Sequence, residues 1–273
     1  MRPDSGHIQT TKDRRHAMKE TTPVEIFADV AALTSEAGHL FVRLAQNAVA
    51  KRGVFTVALS GGSTPKGLYT SMATDKSLRA AIPWSKIRFF FGDERHVPPD
   101  SPDSNFRMVN EAMLQRLPPG WTHIHRILGE LADATEAASR YEAEMKDFFG
   151  THGLVEGGFP RFDLIFLGLG PEGHTASLFP ESVALQETHR WVVANWVAKL
   201  KTDRITLTIP VLNNAQEVVL LVAGSAKAPI VADVLERTAT APKYPVQSVK
   251  PSSGTEHWML DKAAASQLSK VNA

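Results

Sequence analysis

The sequence predicts an α/β fold: a single Rossmann-like domain with a mainly parallel sheet and helices on both faces. Short apolar runs alternate along the chain with amphipathic stretches, and most runs end at Gly or Pro. This rhythm is typical of repeated strand–helix units. Several runs are apolar throughout rather than alternating, as expected of parallel strands that are covered on both faces.

The predicted elements follow one another along the whole chain. Six runs of mostly apolar residues predict strands, at 54–59, 87–91, 162–167, 191–197, 205–209 and 218–223. Before Gly53, a long helix is predicted by apolar residues at three- and four-residue spacing, namely Leu33, Ala37, Leu40, Phe41, Leu44 and Ala48. Further helices are predicted over 65–73, 105–117, 133–149 and 226–236, with a short closing helix over 261–268.

The composition is that of a globular protein and argues against several classes of function. The 273 residues are 43% hydrophobic and 22% charged, with a net charge of +1, so no overall field favours nucleic acid or an anionic membrane. The absence of cysteine removes thiol nucleophiles and Cys-ligated metals, and makes the cytoplasm the expected location. No apolar run approaches the length that spans a bilayer.

The first 22 residues are polar, mixed in charge and aperiodic. We expect residues 1–22 to be a disordered extension and residues 23–273 to form the functional domain. Met18 is an alternative start, while Asp4, Asp13 and Glu20 argue against a mitochondrial transit peptide.

The loop after the strand predicted at 54–59 has the composition of a phosphate site. It leads directly into a helix and consists of Ser60, Gly61, Gly62, Ser63, Thr64 and Pro65. Thr64 is expected to cap that helix and Pro65 to take its first position. Glycines allow backbone N–H groups at a helix N-terminus to approach an anion closely. An ordinary Gly turn with a good cap is an equal alternative.

A second loop places ionisable side chains after the strand predicted at 87–91. They are the side chains of Asp93, Glu94, Arg95 and His96. They could contact a ligand, or equally they could pair with one another in an ion-paired loop.

A third loop, after the strand predicted at 162–167, contains a G-x-G-x-x-G match at 168, 170 and 173. A dinucleotide site is rejected, because the acidic residue about 20 positions later precedes the next strand instead of ending it. The loop instead presents Glu172 and His174 where a helix could begin. An imidazole that titrates near neutral pH is suited to activating water.

Two cations complete the candidate site. Arg204 opens the strand predicted at 205–209, and Lys227 follows a Gly-Ser turn. Either residue alone is usually solvated. Together with the 60–64 loop they could neutralise a phosphate dianion, Arg through its planar fork and Lys as a point charge. No residues have a spacing that indicates a metal site.

These segments together resemble the 6-phosphogluconolactonase family over about residues 24–265. The resemblance is carried by residues 59–65, 92–95, 97–98, 104–105, 167–180, 204–208 and 223–228, and by Trp258 and Asp261. It implies hydrolysis of 6-phosphoglucono-δ-lactone to 6-phosphogluconate in the oxidative pentose phosphate pathway, without a metal or organic cofactor. It also implies a small-molecule substrate, no nucleic-acid or membrane partner, and a monomer or small homo-oligomer.

The resemblance assigns a role to each candidate residue. His174 is the general base, which later protonates the leaving ring oxygen. Asp93 and Arg95 line the sugar end, and the 60–64 loop, Arg204 and Lys227 hold the phosphate. The family usually has Asp two residues before the His, where this chain has Glu172, a carboxylate with one more methylene.

Two alternative functions stay open. The related glucosamine-6-phosphate deaminases have an acidic residue five positions after the His, where this chain has Phe179. A non-catalytic sugar-phosphate sensor commonly carries an added module, and we expect the stretch before Val24 to be too short and irregular for one.

Overall fold

A six-stranded parallel sheet forms the centre of the protein, whose computed structural model describes residues 23–117, 123–236 and 242–269. The expected extension at 1–22 lies outside the described residues. The strands are β1 (Val24–Phe27), β2 (Phe55–Leu59), β3 (Ile87–Phe91), β4 (Asp93–Arg95), β5 (Val155–Glu156), β6 (Phe159–Pro160), β7 (Leu164–Leu167), β8 (Val192–Val197), β9 (Thr202–Leu207), β10 (Glu217–Val222) and β11 (Thr255–Asp261). The central order is β1-β11-β10-β7-β2-β3, and every neighbouring pair is parallel.

Helices flank this sheet, which confirms the predicted fold class. They are α1 (Val30–Arg52), α2 (Ser63–Thr74), α3 (Lys76–Ala81), α4 (Asn105–Ala112), α5 (Ala134–Thr151), α6 (Ile209–Asn213) and α7 (Ala228–Glu236). The first helix begins where the Asp29 carboxylate accepts a hydrogen bond from the Ala32 N–H group at 2.8 Å. It ends at Gly53, whose φ of +77° is the left-handed conformation expected of a terminating glycine.

A second, antiparallel sheet corrects the prediction for residues 191–209. The order is β4-β9-β8, and β8 and β9 form a hairpin instead of joining the parallel sheet. The second strand of this hairpin spans Thr202–Leu207, earlier in the chain than the predicted 205–209. Only residues 198–201 connect the two strands, whereas a parallel pair needs a crossover of about a dozen residues or more.

The sequence did not reveal β1, β4, β11 or the short antiparallel pair of β5 and β6, and the closing helix predicted over 261–268 is wrong. Asp261 ends β11, and its carboxylate accepts hydrogen bonds from the N–H groups of Gly224 and Ala264, so turns follow the strand. The strand was hard to recognise because it begins with Thr255, Glu256 and His257, which are polar.

Two predicted helices also differ from those in the structure. The helix predicted over 105–117 stops at Ala112, because Met113 leaves helical geometry with φ −137° and ψ −58°. The helix after the glycine pair starts at Ser63 with Gly62 as its cap, so Thr64 lies within the first turn and is not the cap.

The strand order determines which loops can meet. Four neighbouring strands of the parallel sheet, β10, β7, β2 and β3, end at the same edge. Ligands of such sheets bind beyond the carboxyl ends of the strands. Within the described ranges, no helix is long and apolar enough to cross a membrane.

Candidate active site

A first cavity of about 260 Å³ opens beyond the carboxyl ends of these four strands. Its lining includes the predicted phosphate loop and charged or polar residues from four other segments: Ser60, Gly61, Gly62, Ser63, Thr64, Asp93, Arg95, Asn105, His174 and Lys227. The structure therefore brings nearly all of the predicted site residues together.

A second cavity, also of about 260 Å³, adjoins the first. The two share Asp93, Arg95 and His174 in their walls. Glu172 and Arg204 line only the second cavity. Lys227 thus faces the same space as the 60–64 loop, whereas Arg204 lies in the adjoining space, beside the residues that the cavities share.

The 60–64 loop presents hydrogen-bond donors of the kind that bind an anion. The buried Ser60 hydroxyl lines the first cavity and has no hydrogen-bond partner among the described residues. The Tyr69 hydroxyl fixes the Ser60 backbone, accepting from its N–H group at 3.0 Å and donating to its carbonyl at 3.1 Å. Because α2 starts at Ser63, the first N–H groups of that helix lack intrahelical acceptors and are available to an anion.

Asp93 is a buried carboxylate held by neutral donors. The Ser177 hydroxyl donates to Oδ2 at 2.6 Å, and the Asn105 side-chain amide donates to Oδ1 at 3.3 Å and to the Asp93 carbonyl at 3.0 Å. These bonds fix the carboxylate in the wall that the two cavities share.

Asn105 belongs to a segment that carries the family resemblance, but it was given no role from the sequence. A Cβ atom on Gly61 would lie 2.0 Å from the Asn105 Oδ1 atom, so only glycine at 61 admits this side chain. Asn105 therefore connects the phosphate loop to Asp93. A buried Asn at the first position of a helix has no periodicity that marks it in a sequence.

Glu94 and Arg95 do not form the ion-paired loop that was the alternative. The Glu94 carboxylate accepts from the N–H groups of Arg95, Asn105 and Phe106 and thereby fixes the start of α4. Burial raises the pKa of Glu94, although these bonds oppose the shift. The Arg95 guanidinium donates to the Asp103 carbonyl at 2.6 Å, and its side chain lines both cavities.

The His174 ring is held between a glycine and an aromatic ring. Phe179 stacks on it with centroids 4.1 Å apart and planes at 26°. On the glycine side, a Cβ atom on Gly170 would lie 2.0 Å from the imidazole, so the ring can occupy this position only because residue 170 is glycine. The Gly170 N–H group also donates to the His174 carbonyl at 2.8 Å.

The electrostatics of the site favour a neutral imidazole. Burial lowers the pKa of His174, and the nearby carboxylates of Glu172 and Asp93 oppose this effect. The His174 Nδ1 atom lies 3.2 Å from the Glu172 Oε2 atom, but the pair lacks the alignment of a hydrogen bond. A neutral imidazole can accept a proton, which is what a general base requires.

Tyr244 supports the loop that carries His174, and sequence reasoning missed it as well. Gly173 has a φ of +73°, and a Cβ atom there would lie 2.4 Å from the Tyr244 side chain. The Val246 N–H group donates to the Gly173 carbonyl at 3.1 Å. Nothing in the sequence pattern connects two segments so far apart in the chain.

Lys227 ends a short 3-10 turn, Ser225–Lys227, that leads into α7. The turn follows Gly224, whose N–H group donates to the Asp261 carboxylate, so the last strand positions the lysine. Burial lowers the pKa of Lys227, with Glu172 opposing the shift. Among the residues that the structure describes, no three His, Cys, Asp or Glu side chains form a group able to hold a metal ion.

Comparison with known proteins places this geometry in context. Residues 28–258 match the family described as glucosamine-6-phosphate isomerases/6-phosphogluconolactonase. The 6-phosphogluconolactonase of Nostoc sp. is 39% identical over 252 residues, which are 92% of this chain and 100% of that protein. The Synechocystis sp. 6-phosphogluconolactonase is 43% identical over 222 residues, 81% of this chain and 88% of that protein.

A solved structure gives the same likeness in three dimensions. The 6-phosphogluconolactonase from Trypanosoma cruzi superimposes with a TM-score of 0.78 at 30% sequence identity. The match covers 93% of this chain and 100% of that one. The likeness therefore extends over most of both chains.

Proposed function

This chain belongs to the glucosamine-6-phosphate isomerase/6-phosphogluconolactonase family, and from that membership we propose that it hydrolyses 6-phosphoglucono-δ-lactone to 6-phosphogluconate. This reaction is a step of the oxidative pentose phosphate pathway. One observation carries the proposal: His174, whose side chain is 22% exposed and whose pKa is lowered by partial burial, faces the same cavity as the 60–64 loop. The phosphate and the lactone carbonyl of one small molecule can thus be held at once.

Binding begins at the phosphate. The N–H groups at the start of α2 and the unpartnered Ser60 hydroxyl supply hydrogen-bond donors, and Lys227 supplies positive charge in the same cavity. Arg204, in the adjoining cavity, adds a second positive charge near the wall formed by Asp93 and Arg95. Residues 23–273 act in this proposal as one domain, because segments from both halves of the chain bind one substrate.

The chemistry is addition of water followed by ring opening. His174 takes a proton from a water molecule through Nε2, while Nδ1 faces Glu172. The hydroxide oxygen bonds to the lactone carbonyl carbon and gives a tetrahedral oxyanion. The bond from that carbon to the ring oxygen then breaks, and the imidazolium returns its proton to the ring oxygen. The products are the free hydroxyl group and a carboxylic acid, which ionises.

Charge on the carbonyl oxygen must be stabilised while the tetrahedral species exists. The Arg95 guanidinium lines both cavities and can approach this oxygen, as can backbone N–H groups of residues 168–174. Asp93, fixed by Ser177 and Asn105, is placed to accept hydrogen bonds from sugar hydroxyls. The proposed step needs no metal ion or organic cofactor.

The deaminase alternative requires an acidic residue where this chain has Phe179. That ring stacks on His174 and offers no proton-transfer group. We therefore expect no release of ammonia from glucosamine-6-phosphate, which can be measured directly with the purified protein.

The decisive experiment follows the loss of freshly generated lactone with the uncatalysed rate subtracted. The wild-type protein should accelerate the loss, and the His174→Ala variant should retain little of that acceleration. Tight binding of 6-phosphogluconate without any acceleration by the wild type would favour the non-catalytic sensor.

We also propose that the enzyme acts in the cytoplasm, as a monomer or small homo-oligomer that needs no nucleic acid or membrane. Cell fractionation tests the location, and sedimentation of the purified protein tests the assembly state.

A further inference from the structure

Glu172 contacts a second charged residue besides His174. Its Oε1 atom lies 2.8 Å from the Lys199 ammonium, and its Oε2 atom lies 3.2 Å from His174 Nδ1. Each carboxylate oxygen thus serves a different partner. The proposed hydrolysis uses His174 as the base, and Lys199 has no part in its steps.

Lys199 lies in the turn of the β8–β9 hairpin, and this turn lines the second cavity. The turn is a short 3-10 segment, Ala198–Leu200, followed by Lys201 in the left-handed conformation with φ +49°. Leu200 lines the second cavity beside Lys199, so the turn forms part of the wall of the site. The hairpin therefore brings a cation to the carboxylate from a different element than the loop that carries Glu172 and His174.

The geometry points to Lys199 as a positioning residue for the proposed hydrolysis, one that holds the Glu172 carboxylate away from full alignment with the His174 ring and keeps that ring a neutral base. This inference rests on the proposed function. The Lys199 side chain is 70% exposed, and that of Glu172 is 27% exposed. The effect is therefore one of modest tuning, as expected of a partly solvated ion pair.

The other charged groups that face His174 are fixed by different elements. Asp93 and Arg95 come from β4, Arg204 comes from β9 and Lys227 comes from the turn before α7. Among them Asp93 favours the imidazolium and Lys227 disfavours it. None of them is ion-paired with Glu172 among the described residues, although Lys227 and Glu172 act on each other through space. Removing Lys199 therefore takes away the cation that is in direct contact with that carboxylate.

Loss of Lys199 should have a definite direction. Without the ammonium, the Glu172 carboxylate carries its full negative charge and is free to align with Nδ1, which stabilises the imidazolium. The pKa of His174 then rises, and the acid limb of the activity profile moves to higher pH.

The test compares variants on two readouts. In Lys199→Ala, both the acid limb of kcat and the titration of the His174 ring, followed by NMR, should move up by about half a pH unit. The His174 signal is assigned by its absence in His174→Ala. Lys199→Arg should restore the wild-type values, because guanidinium keeps the contact with the carboxylate. Lys201→Ala is the matched control on the same turn, and both readouts should match the wild type.

The route through Glu172 is tested by repeating the change in the Glu172→Gln background, where the shift should fall below about 0.2 unit. A shift of full size there means that Lys199 acts by its field alone and overturns the inference. An unchanged titration in Lys199→Ala, or activity lowered equally at every pH, also overturns it. The NMR titration does not depend on turnover, so a wild type without lactonase activity but with the predicted shift would reject the proposed function and leave the coupling in place.

Discussion

The two sheets contribute to the site in different ways. The parallel sheet contributes the loops at its carboxyl edge, including the anion loop at 60–64 and the loop that carries His174. The antiparallel sheet contributes Asp93, Arg95 and Arg204 from its strands, and Arg95 and Arg204 are directly paired across it. The Asp93 carbonyl and the Arg95 N–H group are already bonded to Asn105 and Glu94, so these residues act through their side chains. A loop at a helix start offers backbone N–H groups as well.

This difference separates reacting groups from fixed charges. The proposed base and the proposed phosphate donors lie on loops whose shape depends on particular glycines. The charges of the small sheet are fixed by strand pairing and adjust the field around the base. Changes to the loops of the parallel sheet should therefore reduce turnover most, and changes to the small sheet should alter binding and pH dependence.

The largest expected effect comes from Gly170→Ala. The new methyl group would fall 2.0 Å from the His174 ring and force the base out of its place against Phe179. We expect kcat to fall by about 10²- to 10⁴-fold, the usual contribution of a general base.

Gly168→Ala is the matched control for this prediction. It lies in the same loop, and a Cβ atom there meets nothing within 4 Å. Its kcat in the lactone assay should fall much less than that of Gly170→Ala, because the methyl group at 168 enters the open space of the first cavity and leaves the His174 ring in place. Similar losses in both variants, with both folded by circular dichroism, would show that the loop tolerates no substitution and that the ring position is not the cause.

The second effect compares the two cations that are proposed to bind the phosphate. Lys227 shares a cavity with the 60–64 loop and Arg204 does not. Lys227→Ala should lower kcat/KM by about 10- to 100-fold, the cost of losing a charged hydrogen bond. Arg204→Ala should lower it less. Inhibition by 6-phosphogluconate reports ligand binding in the two variants. A larger loss in Arg204→Ala than in Lys227→Ala would mean that the phosphate binds nearer the second cavity.

A smaller effect is expected for Glu172→Gln. The amide keeps the shape of the side chain but loses the charge that faces His174 Nδ1. Turnover should fall by less than about 10-fold, and in any case less than in His174→Ala, because the base itself is retained. The comparison requires kcat for both variants above the spontaneous rate. Equal and negligible losses would reject this assignment of the site.

Much of this organisation could be predicted from the sequence, because it depends on local patterns. Continuous apolar runs marked β2, β3, β7 and β10, and glycine-rich segments after them marked the loops. The antiparallel pairing of β8 and β9 was within reach from the short connection between them. The strands β1 and β11 at one side of the sheet were not, since their runs are short or mixed with polar residues.

The parts of the site that escaped prediction depend on contacts between distant segments. Asn105 matters because it meets Gly61 and Asp93, and Tyr244 because it packs on Gly173. Such contacts leave no periodicity in the chain. Arg204 and Lys227 line different cavities because Arg204 lies in β9 of the antiparallel sheet and Lys227 follows β10 of the parallel sheet. From the sequence, both strands were assigned to a single sheet.

The smallest effect is the position of the acid limb in the wild type, and its sign follows from burial. Burial lowers the pKa of His174 below its ordinary value of 6.5, so the folded protein keeps a neutral imidazole where an exposed histidine would already be charged. The kcat/KM profile, corrected for spontaneous hydrolysis, should therefore fall to half of its full value at a pH below 6.5.

The same shift makes a prediction for stability. At a pH between the unfolded-state pKa and the lowered folded-state pKa, the unfolded chain binds a proton at His174 that the folded chain does not. The contribution of this histidine to the free energy of unfolding is therefore full above pH 6.5 and is lost as the pH falls. His174→Ala should weaken the decline of the urea midpoint between pH 6.5 and 5.5. An acid limb above pH 6.5 would contradict both expectations, because it would show that the carboxylates of Glu172 and Asp93 raise the pKa of His174 more than burial lowers it. Fixed charges, rather than the loop environment, would then determine the protonation state of the imidazole.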